Sequence, residues 1–445
     1  MKNYKLLIIG LGSIGKNLAL SLVDKGYKIN VWDKNQKKNM SICKHLRINY
    51  IRDVFKFINR NNTIIILAIP AGLEVDNFIY SNIGFFKKKN YILDIGNSHP
   101  SDTTRRHIYL KKKKINYIGC GFSGGFLGAR TNASLMVGCD KKNFNFLKKL
   151  FFDIVGQKNK NFFKRISDNP SSGHYVKIVH NAIEYGIMQS IADYYFVMKK
   201  IIKLNNKEIT RELNKLNKLI GNSYLIEITK RIIEKSKFNK FEINNIIDKV
   251  DDNNTGAWAV SLALNCKFPI PSISSSVESR FFSKEERIFK EVKIYRDKNK
   301  IKLTKIKNQI VIISTLSIIF CYLQGIGLLK KISDKKDIKI NLKNVILSWM
   351  KNSIIRSNFL KKIFIQIKNN NINVESISKK EFSIKKRKSL IKVMQFLIKN
   401  NLYLPSINSV YGWIKQLEGK KYITFSLIQA QRNYFGKHKI KFFNK

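Results

Sequence analysis

Between residues 171 and 186 the sequence SSGHYVKIVHNAIEYG sets a lysine, two histidines, an asparagine, a glutamate and a tyrosine among small and β-branched apolar residues. At about 100° per residue of α-helix, His174, Lys177, His180, Asn181, Glu184 and Tyr185 fall within one sector of roughly 140°. Val176, Ile178, Val179, Ala182 and Ile183 take the opposite side. An ordinary amphipathic helix would also segregate its residues, but this chain fills solvated positions with lysine. Here the groups are imidazole, amide, carboxylate and phenol, which bind substrates and transfer protons.

A second constellation is GLGSIG, residues 10–15, comprising Gly10, Leu11, Gly12, Ser13, Ile14 and Gly15. It follows the apolar run YKLLIIG and opens a helical stretch, KNLALSLVDKG, that ends at Gly26 before the next apolar run. Alone, a GxGxxG is a weak signal. Between strand and helix it is a strong one: Gly10 permits the tight turn, Gly12 lets a pyrophosphate approach the backbone, and Gly15 allows close helix packing. The helix N-terminus then faces the anion. In VWDKN, Asp33 ends the second strand, where a carboxylate hydrogen-bonds the ribose hydroxyls of NAD and repels a 2′-phosphate. Lys34, Lys37 and Lys38 pull towards NADP, so the local signal is divided.

These groups must be positioned by larger elements. YKLLIIG (4–10), YKINVWD (27–33), NTIIILAIP (62–70) and NYILDIG (90–96) read as buried strands separated by lysine-bearing helices, the pattern of a doubly wound sheet. Of the 23 glycines, 14 precede residue 170, and beyond Pro170 the chain becomes a succession of long helical patterns. The expected fold is an α/β Rossmann-type N-terminal domain over 1–170, followed by a large all-α domain over 171–428 and a short C-terminal tail over 429–445.

Length and composition (445 residues, 44% hydrophobic) indicate a folded chain with a large core. The net charge of +54 comes from 69 lysines and 15 arginines spread along the whole sequence. Base readout relies on arginine and on clustered patches, so specific nucleic-acid binding is not expected. Five cysteines (Cys43, Cys120, Cys139, Cys266, Cys321) stand far apart with no CxxC pair, which fits a reducing cytoplasm. The uncharged stretch QIVIISTLSIIFCYLQGIGLL (309–329) is long enough to span a bilayer. Its Gln309, Ser314, Thr315, Ser317 and Gln324 would sit poorly in lipid, so a core helix and no membrane span are expected.

The helix SSGHYVKIVHNAIEYG occurs in order with DIGNSH (94–99), GFSGGFLGAR (121–130), SYLIEITK (223–230), NNTGAW (253–258), SWMKNSIIRSNFL (348–360) and LIQAQRNYFGKH (427–438). Over nearly its whole length the chain thereby closely resembles the 6-phosphogluconate dehydrogenase family. The resemblance implies oxidation of 6-phosphogluconate at C3 with loss of carbon dioxide to leave ribulose 5-phosphate, within the pentose phosphate pathway. NADP is the implied cofactor, with NAD kept open by Asp33. Lys177 matches the family's base, and Glu184 matches the acid that protonates C1 of the enediol. By the same match Asn97, Ser123, Gly124, Gly125, His180 and Asn181 hold the sugar acid, and Tyr185, Thr255 and Arg280 help take the phosphate. Arg432 and His438 match residues supplied by the second subunit of a homodimer. Pro70 and Ala71, in the AIPAG turn, are implied to lie beside the cofactor together with Asn97. His174, at the helix start, is expected to be structural. No metal is implied, and Asp251 and Asp252 read as solvated.

Four departures stand out. Asp33 and Lys34 replace the family's Asn-Arg pair, and Asn253 replaces a lysine before the TGxW turn. Phe126 and Leu127 stand where two glutamates are usual, and seven residues follow His438 where the family has a longer tail. One rival reading is a β-hydroxyacid dehydrogenase, which shares the fold and a catalytic lysine but lacks the second helical region. Another is a lysine-rich remnant that binds polyanions without turnover.

Overall fold

The computed structural model describes residues 4–440 except 36, 38–41, 43–46, 61, 157–162, 236–242, 287, 289–299, 368–370 and 419–422. Lys38 and Cys43 therefore lie outside the described residues.

Seven strands form one sheet in the order β3-β2-β1-β4-β5-β6-β7. They are β1 (Lys5–Ile9), β2 (Ile29–Trp32), β3 (Ile48–Tyr50), β4 (Thr63–Leu67), β5 (Tyr91–Asp94), β6 (Asn116–Ser123) and β7 (Ser134–Gly138). All pair in parallel except β7, which runs antiparallel to β6. Because side chains alternate across a strand, the sheet feeds two apolar layers. Leu6, Ile8, Ile64 and Ile66 enter one, and Leu7, Ile9, Ile65 and Leu67 the other. The strand order reverses between β1 and β4, which opens a crevice at their carboxyl ends, where such folds bind ligands. The sequence pattern marks β1, β2, β4 and β5; β3, β6 and β7 are additions to it.

Helix Ser172–Phe196 crosses this sheet on one side and the helical domain on the other. Every residue from Ser172 to Ile183 is buried, so its polar sector meets protein and an internal cleft rather than bulk water. Against the sheet, Gly119 and Gly121 of β6 let the helix approach. A Cβ on Gly121 would lie 2.6 Å from the Gly173 carbonyl and 2.7 Å from Lys177 Cβ. On the far side runs helix Lys300–Lys335, where Gly186 faces Cys321 and Gly325 faces Ile183. The apolar window of that long helix is 94% buried within the protein, so its apolar side chains are covered by the fold itself.

The described remainder is helical, including Asn206–Ile220, Tyr224–Lys235, Thr255–Asn265, Pro271–Phe282, Leu342–Met350, Ile384–Lys399 and Pro405–Leu417. A last helix, Ile423–Gly436, has no buried residue, although Phe425, Leu427, Ile428 and Phe435 are apolar. The division expected at 428/429 falls inside this helix. As an element of structure the C-terminal segment begins at Ile423, because the backbone hydrogen bonds run unbroken across that point.

Candidate active site

The glycine turn shows why its residues are glycines. Gly10 has φ +92°, and a Cβ there would lie 2.5 Å from the Ala68 carbonyl, while a Cβ on Gly15 would overlap the Gly10 carbonyl. Gly12, the N-cap of helix Ser13–Asp24, has nothing within 4 Å of where its Cβ would be. That open space lies at the N-terminus of a twelve-residue helix with no side-chain cap, a fit for a pyrophosphate. Gly10, Gly12, Asp33 and Lys34 line a crevice of about 860 Å³, whose floor is Ala68, Ile69 and Pro70. The Asp33 carboxylate accepts the Leu11 N–H at 2.6 Å and the Asn35 N–H at 2.8 Å, so it braces the glycine turn. Lys34 pairs with Glu74 at 3.2 Å.

The same three residues, Ala68 to Pro70, also border a second space of about 770 Å³ between sheet and helices. Ile14, Ala71 and Asn97 line it from the nucleotide side, Ser123, Gly124 and Gly125 from the end of β6, and Lys177, Asn181 and Glu184 from helix Ser172–Phe196. Asn253, marked in the sequence only as the replacement of a lysine, lines it as well, together with Asn254, Trp258 and Ile354, which the sequence does not single out as site residues.

Lys177 is buried, and among the described residues its amine has no hydrogen-bond or ion-pair partner. Burial pushes its pKa down to about 8, against the opposing field of Glu184. Burial raises the Glu184 carboxyl above the usual carboxylate range, with Lys177 and Arg280 drawing it back. The two groups thus approach each other's range, as an acid–base pair requires.

Behind them runs a continuous hydrogen-bond chain. The Ile354 N–H donates to Ser123 Oγ at 3.2 Å, and Ser123 Oγ lies 3.0 Å from His180 Nε2. Asn181 Oδ1 can only accept, so it takes His180 Nδ1–H at 3.2 Å; burial, reinforced by Lys177, keeps the imidazole neutral, and Nε2 therefore accepts the Ser123 hydroxyl. Asn181 Nδ2 then donates to Thr255 Oγ1 at 3.1 Å, and Thr255 Oγ1 to Asn253 Oδ1 at 2.6 Å. The Tyr185 hydroxyl donates to the same Asn253 oxygen at 3.1 Å, and the Arg280 guanidinium stacks 3.5 Å from the centre of the Tyr185 ring. Asn253 is therefore more than a missing lysine: it gathers Tyr185 and Thr255. His174 is fully buried, with its ring between Thr103 Oγ1 and the Asp94 carbonyl, which makes it structural.

Two residues not named as site residues from sequence tie the cleft walls together. Buried Asp94 accepts from Ser98, Tyr117 and the Gly96 N–H, fixing the turn that carries Asn97. Buried Arg106 donates to Ser98 Oγ, to Asp76 and to the Gly72 carbonyl, anchoring the turn that carries Pro70 and Ala71.

Arg432 and His438 are not brought to this cleft. They stand on the exposed C-terminal segment, where Arg432 contacts Gln429. Ser13 is likewise exposed at its helix start.

The model of the NAD-binding domain of 6-phosphogluconate dehydrogenase matches residues 5–162, and that of the enzyme's C-terminal domain matches residues 173–445. The chain belongs to the 6-phosphogluconate dehydrogenase family. The decarboxylating 6-phosphogluconate dehydrogenase of Buchnera aphidicola from Acyrthosiphon pisum is 32% identical, over 98% of this chain and 96% of its own length. That of Lactococcus lactis strain IL1403 is 30% identical over 97% and 94%. The solved Plasmodium falciparum 6-phosphogluconate dehydrogenase, studied in its apo form and with NADP+ and 6-phosphogluconate, superposes with a TM-score of 0.89 and 30% identity, covering 99% and 98%. A Salmonella typhimurium 3-hydroxyisobutyrate dehydrogenase gives 0.51 at 17% identity and covers 63% of this chain, a likeness of fold alone. Phe126 and Leu127, which follow the cleft-lining Gly125, are more than half exposed.

Proposed function

We propose that the chain catalyses the oxidative decarboxylation of 6-phosphogluconate to ribulose 5-phosphate and carbon dioxide with NADP as the acceptor. The observation that carries this reading is the buried Lys177 amine, free of protein partners among the described residues. It stands two helical turns from Glu184 on the wall of a cleft that adjoins the glycine crevice. NADP, when bound, accepts the hydride that leaves C3. Neutral Lys177 takes the proton of the C3 hydroxyl as that carbon is oxidised. The ammonium so formed stands beside the new carbonyl and gives its proton to that oxygen as the carboxylate departs as carbon dioxide, leaving an enediol. Glu184, whose carboxyl burial raises above its ordinary value, then protonates C1 of the enediol as Lys177 takes back the hydroxyl proton.

The Ser123–His180–Asn181 chain orients neutral donors and acceptors towards sugar hydroxyls, and Arg280, Tyr185 and Thr255 form the phosphate end. A homodimer is supported by the bare apolar surface of helix Ile423–Gly436, with Arg432 and His438 serving the neighbouring subunit. A reducing cytoplasm is supported by the four described cysteines, each buried and unpaired. Asp33 supports NAD as a second acceptor. The reading is tested by incubating purified protein with 6-phosphogluconate and NADP or NAD and following reduced-nicotinamide absorbance. Absorbance growth with at least one nicotinamide is expected, and none with either would overturn the assignment.

A further inference from the structure

We propose that Arg52 is the residue that recognises the 2′-phosphate of NADP and gives this chain a preference for that cofactor in spite of Asp33. The inference rests on the dinucleotide reading of the glycine crevice given above. β2 and β3 pair in parallel with Val31 opposite Tyr50, and the Ile51 N–H donates to the Val31 carbonyl. Asp33 is the first residue beyond β2 and Arg52 the second beyond β3, so both leave the carboxyl edge of neighbouring strands. Arg52 and Asp33 line the same crevice as Gly10 and Gly12.

The other charges there are committed. Asp33 accepts the backbone N–H groups of Leu11 and Asn35, and Asp53 caps the next helix by accepting the Lys56 N–H at 2.9 Å. Glu74 holds Lys34. Arg52 is exposed, and among the described residues it has no hydrogen bond or ion pair. Its planar fork suits a phosphate dianion, and the 2′-hydroxyl of NAD gives it no charge to engage.

The test is fluorescence titration of the full-length protein and its Arg52→Ala and Arg52→Lys variants with NADPH and with NADH, thermal melting confirming the fold. Wild type is expected to favour NADPH. Arg52→Ala should weaken NADPH by roughly tenfold or more while leaving NADH unchanged. Arg52→Lys should fall between, and the NADPH preference should shrink as salt rises. A wild type that favours NADH, or an Arg52→Ala protein with an unaltered NADPH-to-NADH ratio, would overturn the role of Arg52. A wild type that binds neither nucleotide would overturn the dinucleotide reading itself, which separates the two failures.

Discussion

Replacing Glu184 with glutamine isolates the lysine that the chemistry depends on. In the native chain burial holds Lys177 at about 8 while the Glu184 carboxylate pushes the other way. At pH 7 a lysine at that value is neutral in about one molecule in ten, against about one in three thousand for an ordinary lysine. Glutamine keeps the volume and removes the negative charge, so the lysine should deprotonate below pH 8 and the neutral fraction at pH 7 should grow. The assay is stopped-flow formation of reduced nicotinamide in a single turnover, recorded between pH 6 and pH 9 with saturating 6-phosphogluconate and NADP. Hydride transfer should persist in Glu184→Gln as one ascending limb with a midpoint below the wild-type midpoint, while steady-state turnover falls by about 10²–10⁴ for want of the acid. A midpoint displaced upwards, or a rate independent of pH, would refute the assignment of the ascending limb to Lys177.

Gly121→Ala should drive a methyl against the Gly173 carbonyl and Lys177 Cβ, costing about 1–3 kcal/mol of stability and shifting the base. Thermal melting and turnover should both fall with NADPH affinity intact, and normal turnover would count against the close-packing account. Burial pushes the Asp193 carboxyl from 3.8 up to about 6, against bonds from Ser406 and Gln189. Between those values the native chain binds more protons than the unfolded chain, so this group's contribution to stability declines as pH rises. Asp193→Asn should therefore gain on wild type by up to about 3 kcal/mol from pH 4 to pH 6 in urea midpoints. A constant difference across that window would contradict the burial argument. Arg432→Ala should raise the Michaelis constant for 6-phosphogluconate while leaving NADPH binding alone, and an unchanged constant would remove Arg432 from the phosphate site.

The parts legible in the sequence are those in which one local segment carries a whole chemical requirement. GLGSIG sits between strand and helix, and Lys177, His180, Asn181 and Glu184 share one helical sector, so period and residue type are enough. β6 escaped because Gly119 and Gly121 argue against a strand on propensity, yet they are what lets the active-site helix approach the sheet. β3 has three residues and no readable pattern, which hid the pairing with β2 that brings Arg52 to the crevice Asp33 lines. Arg106 carries no motif, since its work is to join turns distant in sequence, and Asp94, though it opens DIGNSH, shows its bracing role only in the fold. Asn253 looked like the loss of a charge, and its gain as an acceptor for Tyr185 and Thr255 appears only in three dimensions. The apolar side chains of Ile423–Gly436 resemble a core stripe in sequence, and their exposure emerges only once the fold is closed.

The most direct measurement supplies 6-phosphogluconate labelled at its carboxyl carbon, with NADP, and counts labelled carbon dioxide against reduced cofactor in wild type and in Lys177→Ala. The account predicts one carbon dioxide for each reduced nicotinamide in wild type, and loss of both products together in the variant with NADPH binding retained. Reduced cofactor without carbon dioxide in wild type, or undiminished output from Lys177→Ala, would contradict it.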